Sequence, residues 1–370
     1  MEADFQKDIR INLTNENLNS NKPKSMRTQH LFQGYIFVLT FFTYASLHTT
    51  REAWAFLKDN IKKEDSPGIG LSSDQLGTID MVFLGFYSIG LYISGVLGDN
   101  MNKKLLIGVG YIIVCAASVM IGMGGIWQIR NQWYYILFFS ISGIVQSVGW
   151  PSVVAIMANW FSKKGRGFWF GIWTANPNVG NIIGTLSCNL FNGRIGLDWR
   201  WTWIIVSLFV GVIGLFNLFF MVEHPAKVGI IIKEQNEDET VALIESEDNA
   251  IVGDREEEGN EQRSVRSRGK MHSQSDDTLP ELVLKDGEEG EKSINFFKAW
   301  LIPGVIQFSI CYLGLKLANY GIMLWLPTYA TEHLKFNEDQ KTLIALLYDI
   351  GTVAGSICLG LLSDLMYGRR

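Results

Sequence analysis

The chain has 370 residues, 48% of them hydrophobic and 19% charged, with a formal net charge of −5 and a mean hydropathy of +0.13. Residues 231–292 alone hold 19 acidic and 8 basic residues, a net of −11, so the other 308 residues carry 24 basic and 18 acidic groups, a net of +6. Long apolar runs exclude a chain that is unfolded throughout, and their summed length excludes a water-soluble domain, whose single core could not bury them all.

A polar stretch, 1–30, opens the chain. Eight segments follow that each supply the roughly 20 mainly apolar residues a helix needs to cross the hydrocarbon layer. They are 31–57, 77–97, 105–123, 133–158, 167–191, 201–222, 299–331 and 342–363. The period-two alternation of a barrel strand is absent from the sequence. No cleavable leader is expected, because the first apolar run is itself long enough to span. In the fifth span Gly180 and Gly184, and in the eighth Gly351 and Gly355, read as close helix contacts. Trp199, Trp201 and Trp203, which open the sixth span, read as an interfacial belt.

Loop cations set the orientation. With the N-terminus in the cytosol, eight fall on that side: Lys22, Lys24, Arg27, Lys103, Lys104, Lys163, Lys164 and Arg166. Six fall opposite: Lys58, Lys62, Lys63, Arg130, Arg194 and Arg200. The acidic segment after six spans is then cytosolic, and its composition predicts a solvated, unfolded linker. Cys115, Cys188, Cys311 and Cys358 all lie in apolar spans and read as small buried residues. The sequence has no phosphate-cradling loop, zinc-binding helix or nucleophile elbow, so no enzyme, cofactor, metal site or nucleic-acid partner is expected.

The second span ends Gly95-Val96-Leu97-Gly98-Asp99, followed by Lys103-Lys104; the eighth ends Gly360-Leu361-Leu362-Ser363-Asp364, followed by Arg369-Arg370. This repetition six spans apart resembles the major facilitator superfamily, over about residue 30 to the end. The resemblance implies an all-α multi-pass membrane protein of two six-helix halves around a central site. The expected organisation is a polar cytosolic N-terminus, 1–30; a six-helix half, 31–222; an acidic disordered linker, 223–297; and the first two helices of the second half, 298–370. Four helices of that half would then be missing from this sequence.

An ionisable side chain deep in a span is costly and is a functional candidate by default. Arg51 in the first span and Lys316 near the midpoint of the seventh occupy equivalent helices of the two halves. One cation from each half suits a doubly negative cargo such as a phosphate ester, since a guanidinium can make paired charge-assisted bonds to phosphate.

More of the chain then resembles one branch of the superfamily, the sugar-phosphate exchangers. The matching pieces are Thr43-Tyr44-Ala45-Ser46 with His48 and Arg51, Gly149-Trp150-Pro151-Ser152, Asn159-Trp160-Phe161, Gly171-Ile172-Trp173, Asn178-Val179-Gly180-Asn181, Glu223-His224-Pro225 and Trp325-Leu326-Pro327. The resemblance implies exchange of a sugar phosphate, such as glucose 6-phosphate, for inorganic phosphate by alternating access, in the endoplasmic reticulum or another intracellular membrane. It implies Arg51 and Lys316 as phosphate-binding residues, with Trp150 and Asn176 facing the cavity. Asp80, Asp349, Asp99 and Asp364 enter as gating or charge-partner acids, Asp349 as a partner for a cavity cation. Relatives commonly carry Lys directly after the first-helix arginine; here Glu52 follows Arg51, removing a positive charge and adding a negative one. The competing expectations are a proton-coupled facilitator for another organic anion, and a truncated membrane protein that does not transport.

Overall fold

The computed structural model describes residues 26–161, 166–230 and 300–367, except the side chains of 96–100, 166–168, 360, 361 and 363–367. The polar N-terminus up to residue 25 and residues 231–297 of the expected linker lie outside them; the first residues of that linker, 223–230, are described and include a 3-10 turn, Pro225–Val228. Among the described residues every regular element is helical: α1 Met26–Ile61, α2 Ser73–Asn100, α3 Lys103–Ile126, α4 Gln132–Gln146, α5 Gly149–Trp160, α6 Arg166–Trp173, α7 Asn176–Cys188, α8 Trp199–Phe220, α9 Val305–Glu332 and α10 Glu338–Tyr367. α7 continues into a π-helical turn, Asn189–Arg194. The chain divides into two compact units, 1–233 with 319–370, and 234–318.

Six stretches are long and apolar enough to cross a membrane by length and composition: Ser73–Gly95, Lys103–Ile126, Gln132–Trp160, Trp199–Phe220, Val305–Glu332 and Glu338–Leu359. The first and fifth predicted spans fall outside that set for a physical reason. Along one stretch of α1, Thr43, Ser46, His48, Thr49, Thr50, Arg51 and Glu52 are all buried. A helix that spends its interior on polar groups loses the apolar signature of a lipid-facing one. The fifth span is interrupted, since α6 stops at Trp173 and α7 restarts at Asn176 with Pro177 in its first turn, where proline's missing N–H costs nothing.

Side-chain caps set several helix starts. Asn102 accepts from Leu105 N at 3.0 Å, and Asp198 from Arg200 N at 3.0 Å. α2 and α10 open with the same reciprocal box: Ser72 N donates to Gln75 Oε1 at 2.9 Å and Gln75 N to Ser72 Oγ at 3.3 Å. Asn337 N donates to Gln340 Oε1 at 3.1 Å, and Gln340 N to Asn337 Oδ1 at 2.9 Å. Each box satisfies two backbone donors that a helix start leaves open. The internal repeat thus extends to the opposite ends of the two helices that carry Asp99 and Asp364.

Apolar burial does not drive helices together in lipid, so close packing and interhelical hydrogen bonds hold the bundle. Trp199 Nε1 donates to the Pro67 carbonyl at 2.6 Å, and Trp203 Nε1 to the Ser118 carbonyl at 2.7 Å. Both indoles are buried, while Trp201 is 50% exposed. The expected belt therefore reduces to Trp201, because Trp199 and Trp203 lie on the inward face of α8. Gly180 and Gly184 do sit in a tight crossing. Gly351 and Gly355 have no atom within 4 Å of an added Cβ, so the predicted close contact is absent there.

Candidate functional site

The buried polar face of α1 organises the site, with α2, α4, α7 and the 319–332 and 338–349 stretches of α9 and α10 supplying partners. Arg51 is 4% exposed. Its Nε donates to Gln146 Oε1 at 3.0 Å and its Nη1 to Tyr320 Oη at 3.4 Å. The guanidinium carbon stands 4.5 Å from the Tyr87 ring centroid and 5.4 Å from that of Phe83. Among the described residues buried Nη2 has no hydrogen-bond partner, Arg51 forms no ion pair, and the groups meeting the cation, Gln146, Tyr320, Tyr87 and Phe83, are neutral. A permanently charged guanidinium in a water-poor interior with a spare donor is a site for an anion.

Beside it lies a cavity of about 20 Å³, lined by Arg51, Trp54, Asp80, Ser142, Gln146 and Trp203 among others. That is room for about one water and far too little for a sugar phosphate. Trp150 and Asn176 do not line this cavity. Trp150 packs its ring 4.9 Å from Tyr44 and 5.4 Å from Trp173. Asn176 is wholly enclosed at the α6–α7 break, where its Nδ2 donates to the Trp173 carbonyl at 2.7 Å and its Oδ1 has no partner among the described residues.

Asp80 is a partner of Lys58. Lys58 Nζ lies 2.5 Å from Asp80 Oδ2 and donates to the Leu324 carbonyl at 3.0 Å; Trp54 Nε1 donates to Asp80 Oδ1 at 2.9 Å. The Lys58 ammonium also stands 4.1 Å from the Trp325 ring centroid. Lys58 was expected in a loop, as one of the cations opposite the cytosol. It is instead fully buried in α1, because α1 runs on to Ile61, past the predicted end of the span.

Asp349 meets an amide and not a cation: Asn181 Nδ2 donates to its Oδ1 at 2.9 Å. Glu52 turns toward α7, where Thr185 Oγ1 donates to its Oε1 at 3.3 Å. Lys316 belongs to the second unit and is half-buried, with its Nζ 5.3 Å from the Tyr312 ring centroid. Asp99 and Asp364 are helical in backbone, and their side chains lie outside the described set.

Sequence reasoning passed over Gln146, Tyr320, Lys58 and Lys341. Lys341 is also fully enclosed, 3.4 Å from Asp59 Oδ2 and 3.1 Å from Glu338 Oε2. A glutamine inside the apolar run of the fourth span was a readable signal for Gln146. Nothing local marked the two lysines, which look like ordinary helix-end charges.

The family model described as Major Facilitator Superfamily matches residues 33–370. The glucose-6-phosphate exchanger SLC37A2 of Xenopus tropicalis is 31% identical over 366 residues, covering 92% of this chain and 69% of that protein. Sugar phosphate exchanger 3 of Xenopus laevis is 32% identical over 360 residues, covering 90% and 67%. Human SLC37A2 is 32% identical over 361 residues, covering 91% and 68%. The chain thus spans about two thirds of the length of these relatives. Among solved structures, an inward-facing, unoccupied bacterial homolog of the human lysosomal transporter Spinster has the same fold, with a TM-score of 0.58 at 16% identity, covering 92% of this chain and 64% of the other. With the family model matching residues 33–370 and these relatives covered over about two thirds of their length, the chain belongs to the Major Facilitator Superfamily, in the branch that holds these exchangers.

Proposed function

We propose that the chain exchanges a sugar phosphate, of which glucose 6-phosphate is the type, for inorganic phosphate across an intracellular membrane by alternating access. The observation that carries this reading is the state of Arg51: enclosed, bonded among the described residues to the neutral Gln146 and Tyr320, and with Nη2 left without a partner there. Phosphate oxygens would complete that guanidinium, with Gln146 and Tyr320 holding its orientation. Lys316 is kept as the second cation on the sequence argument alone.

Exchange follows from electrostatics. Closing a water-poor chamber around an uncompensated cation is costly, whereas closing it around a cation and its anion is not, so an empty carrier returns slowly. In reconstituted vesicles, phosphate loaded inside should drive uptake of labelled glucose 6-phosphate, and Arg51→Ala should abolish it. Equal uptake into phosphate-free vesicles overturns the exchange reading. The cytosolic N-terminus rests on the loop cations, and placement in the endoplasmic reticulum on the family resemblance of the sequence; protease protection of an N-terminal tag in sealed microsomes would contradict that orientation.

A further inference from the structure

α1 and α7 meet along an unusually close seam. A Cβ at Gly180 would stand 2.1 Å from the Ala45 carbonyl oxygen, and one at Gly184 2.7 Å from that of Thr49. Two polar rungs cross it, one helical turn apart on both helices. In the first, His48 Nδ1 is 3.2 Å from Asn181 Oδ1; in the second, Thr185 Oγ1 donates to Glu52 Oε1 at 3.3 Å. α10 joins at the first rung through the bond from Asn181 Nδ2 to Asp349 Oδ1 at 2.9 Å. With the NH2 of Asn181 given to a carboxylate, its oxygen faces the imidazole, and a proton on His48 Nδ1 completes that contact.

Glu52 is 3% exposed and Asp349 2%. Their donors, Thr185 for Glu52 and Asn181 for Asp349, stand one helical turn apart on α7. The other titratable groups around the pair are His48 on α1, Cys188 on α7 and Tyr348 on α10, with Lys341 beyond Cys188. Lys58 is taken up by Asp80, and Lys341 by Asp59 and Glu338. Among the described residues neither Glu52 nor Asp349 forms an ion pair. The buried lysines of this unit are thus neutralised by acids, while among the described residues these two acids bond only to neutral donors. Two carboxylates enclosed one helical turn apart cannot both stay charged cheaply; taking up one proton removes one of the charges.

We propose that Glu52 and Asp349 form a proton-binding site that takes up one proton on the leg carrying the sugar phosphate and releases it on the far side. The proposal rests on the exchange reading for its cargo. Taking up the proton leaves the pair with one negative charge. Losing it restores two, whose repulsion works against the bond that draws α10 onto the α1–α7 seam. Proton release and departure of α10 are thereby linked.

The test uses the whole chain in vesicles loaded with saturating phosphate, with labelled glucose 6-phosphate outside. External pH is held constant, so the cargo's ionisation does not change, and the interior is set equal or alkaline. The readout is the ratio of alkaline-interior to equal-pH uptake, each protein normalised to its own equal-pH counterflow. It should exceed one for the parent chain and fall to one in Glu52→Gln and in Asp349→Asn. A parent ratio of one overturns the coupling even where counterflow is brisk, and absent counterflow at equal pH counts against the exchange reading alone. A second measurement needs no transport. Infrared spectra of the detergent-solubilised chain should show a protonated-carboxyl band at neutral pH that is lost in Glu52→Gln; a parent spectrum without it refutes the site.

Discussion

Lys58 and Asp80 form a sealed ion pair: the ammonium is wholly enclosed, the carboxylate residue is 6% exposed, and their charged atoms are 2.5 Å apart. The pair joins α1 to α2, and through the Leu324 carbonyl it also ties both to α9. Removing one partner of such a pair leaves the other charged and buried. Lys58→Ala should therefore lower the unfolding free energy by about 3–5 kcal/mol, whereas Lys58→Met combined with Asp80→Leu should recover most of the loss. Unfolding of the detergent-solubilised chain measures both, and an additive double mutant would contradict the pairing.

The ion pair between Lys62 and Glu332 offers the opposite case. Its side chains are 21% and 40% exposed, so water and salt screen it. Glu332→Gln should change stability by less than about 1 kcal/mol in the same assay.

At Arg51, charge and geometry are separable. Arg51→Lys keeps the cation and loses the planar fork that engages Gln146, Tyr320 and the Tyr87 face. Loss of a buried charged contact of about 2–5 kcal/mol corresponds to a rise in KM for phosphate of roughly 30-fold or more. Counterflow kinetics of Arg51→Lys and Gln146→Leu give the answer. A KM unchanged in Arg51→Lys would mean that the fork plays no part.

The α1–α7 crossing should be intolerant of a single methyl group. Gly180→Ala directs its Cβ at the backbone of Ala45, which cannot yield without moving the helix, and should destabilise by about 1–3 kcal/mol. Gly351→Ala, with nothing within 4 Å, should be neutral or slightly stabilising through helix propensity. Comparable losses at the two positions would contradict the packing described.

Asp198 caps α8 outside the membrane-spanning segment. Partial burial opposes its ionisation, but the Arg200 guanidinium and the Arg200 and Trp201 N–H groups outweigh this and hold its carboxyl below the usual carboxylate range. A depressed folded-state value means that the stabilisation is present above the ordinary carboxylate range and fades as pH falls through the depressed one. Asp198→Asn should therefore cost stability at neutral pH and little in strong acid; a difference that grows with acidity would reverse the sign.

Apolar run length was enough to place helix at each of the eight predicted spans, the fifth broken into α6 and α7, and to locate their outer ends to within several residues, because the thickness of the bilayer imposes that length on any chain. The G-x-x-x-D repeat of the second and eighth spans was legible for the same local reason, as was the cost of placing Arg51 inside a helix. The sequence could not show what Arg51 meets. Its partner Tyr320 is 269 positions away, and Asp349 lies 168 positions from Asn181. Whether Lys58 is a loop charge or a core ion, whether Asp349 meets a cation or an amide, and whether Trp199 faces headgroups or Pro67 all depend on which helix faces are brought together. A charge is a property of one residue, but its neutralisation belongs to two, and packing selects the second.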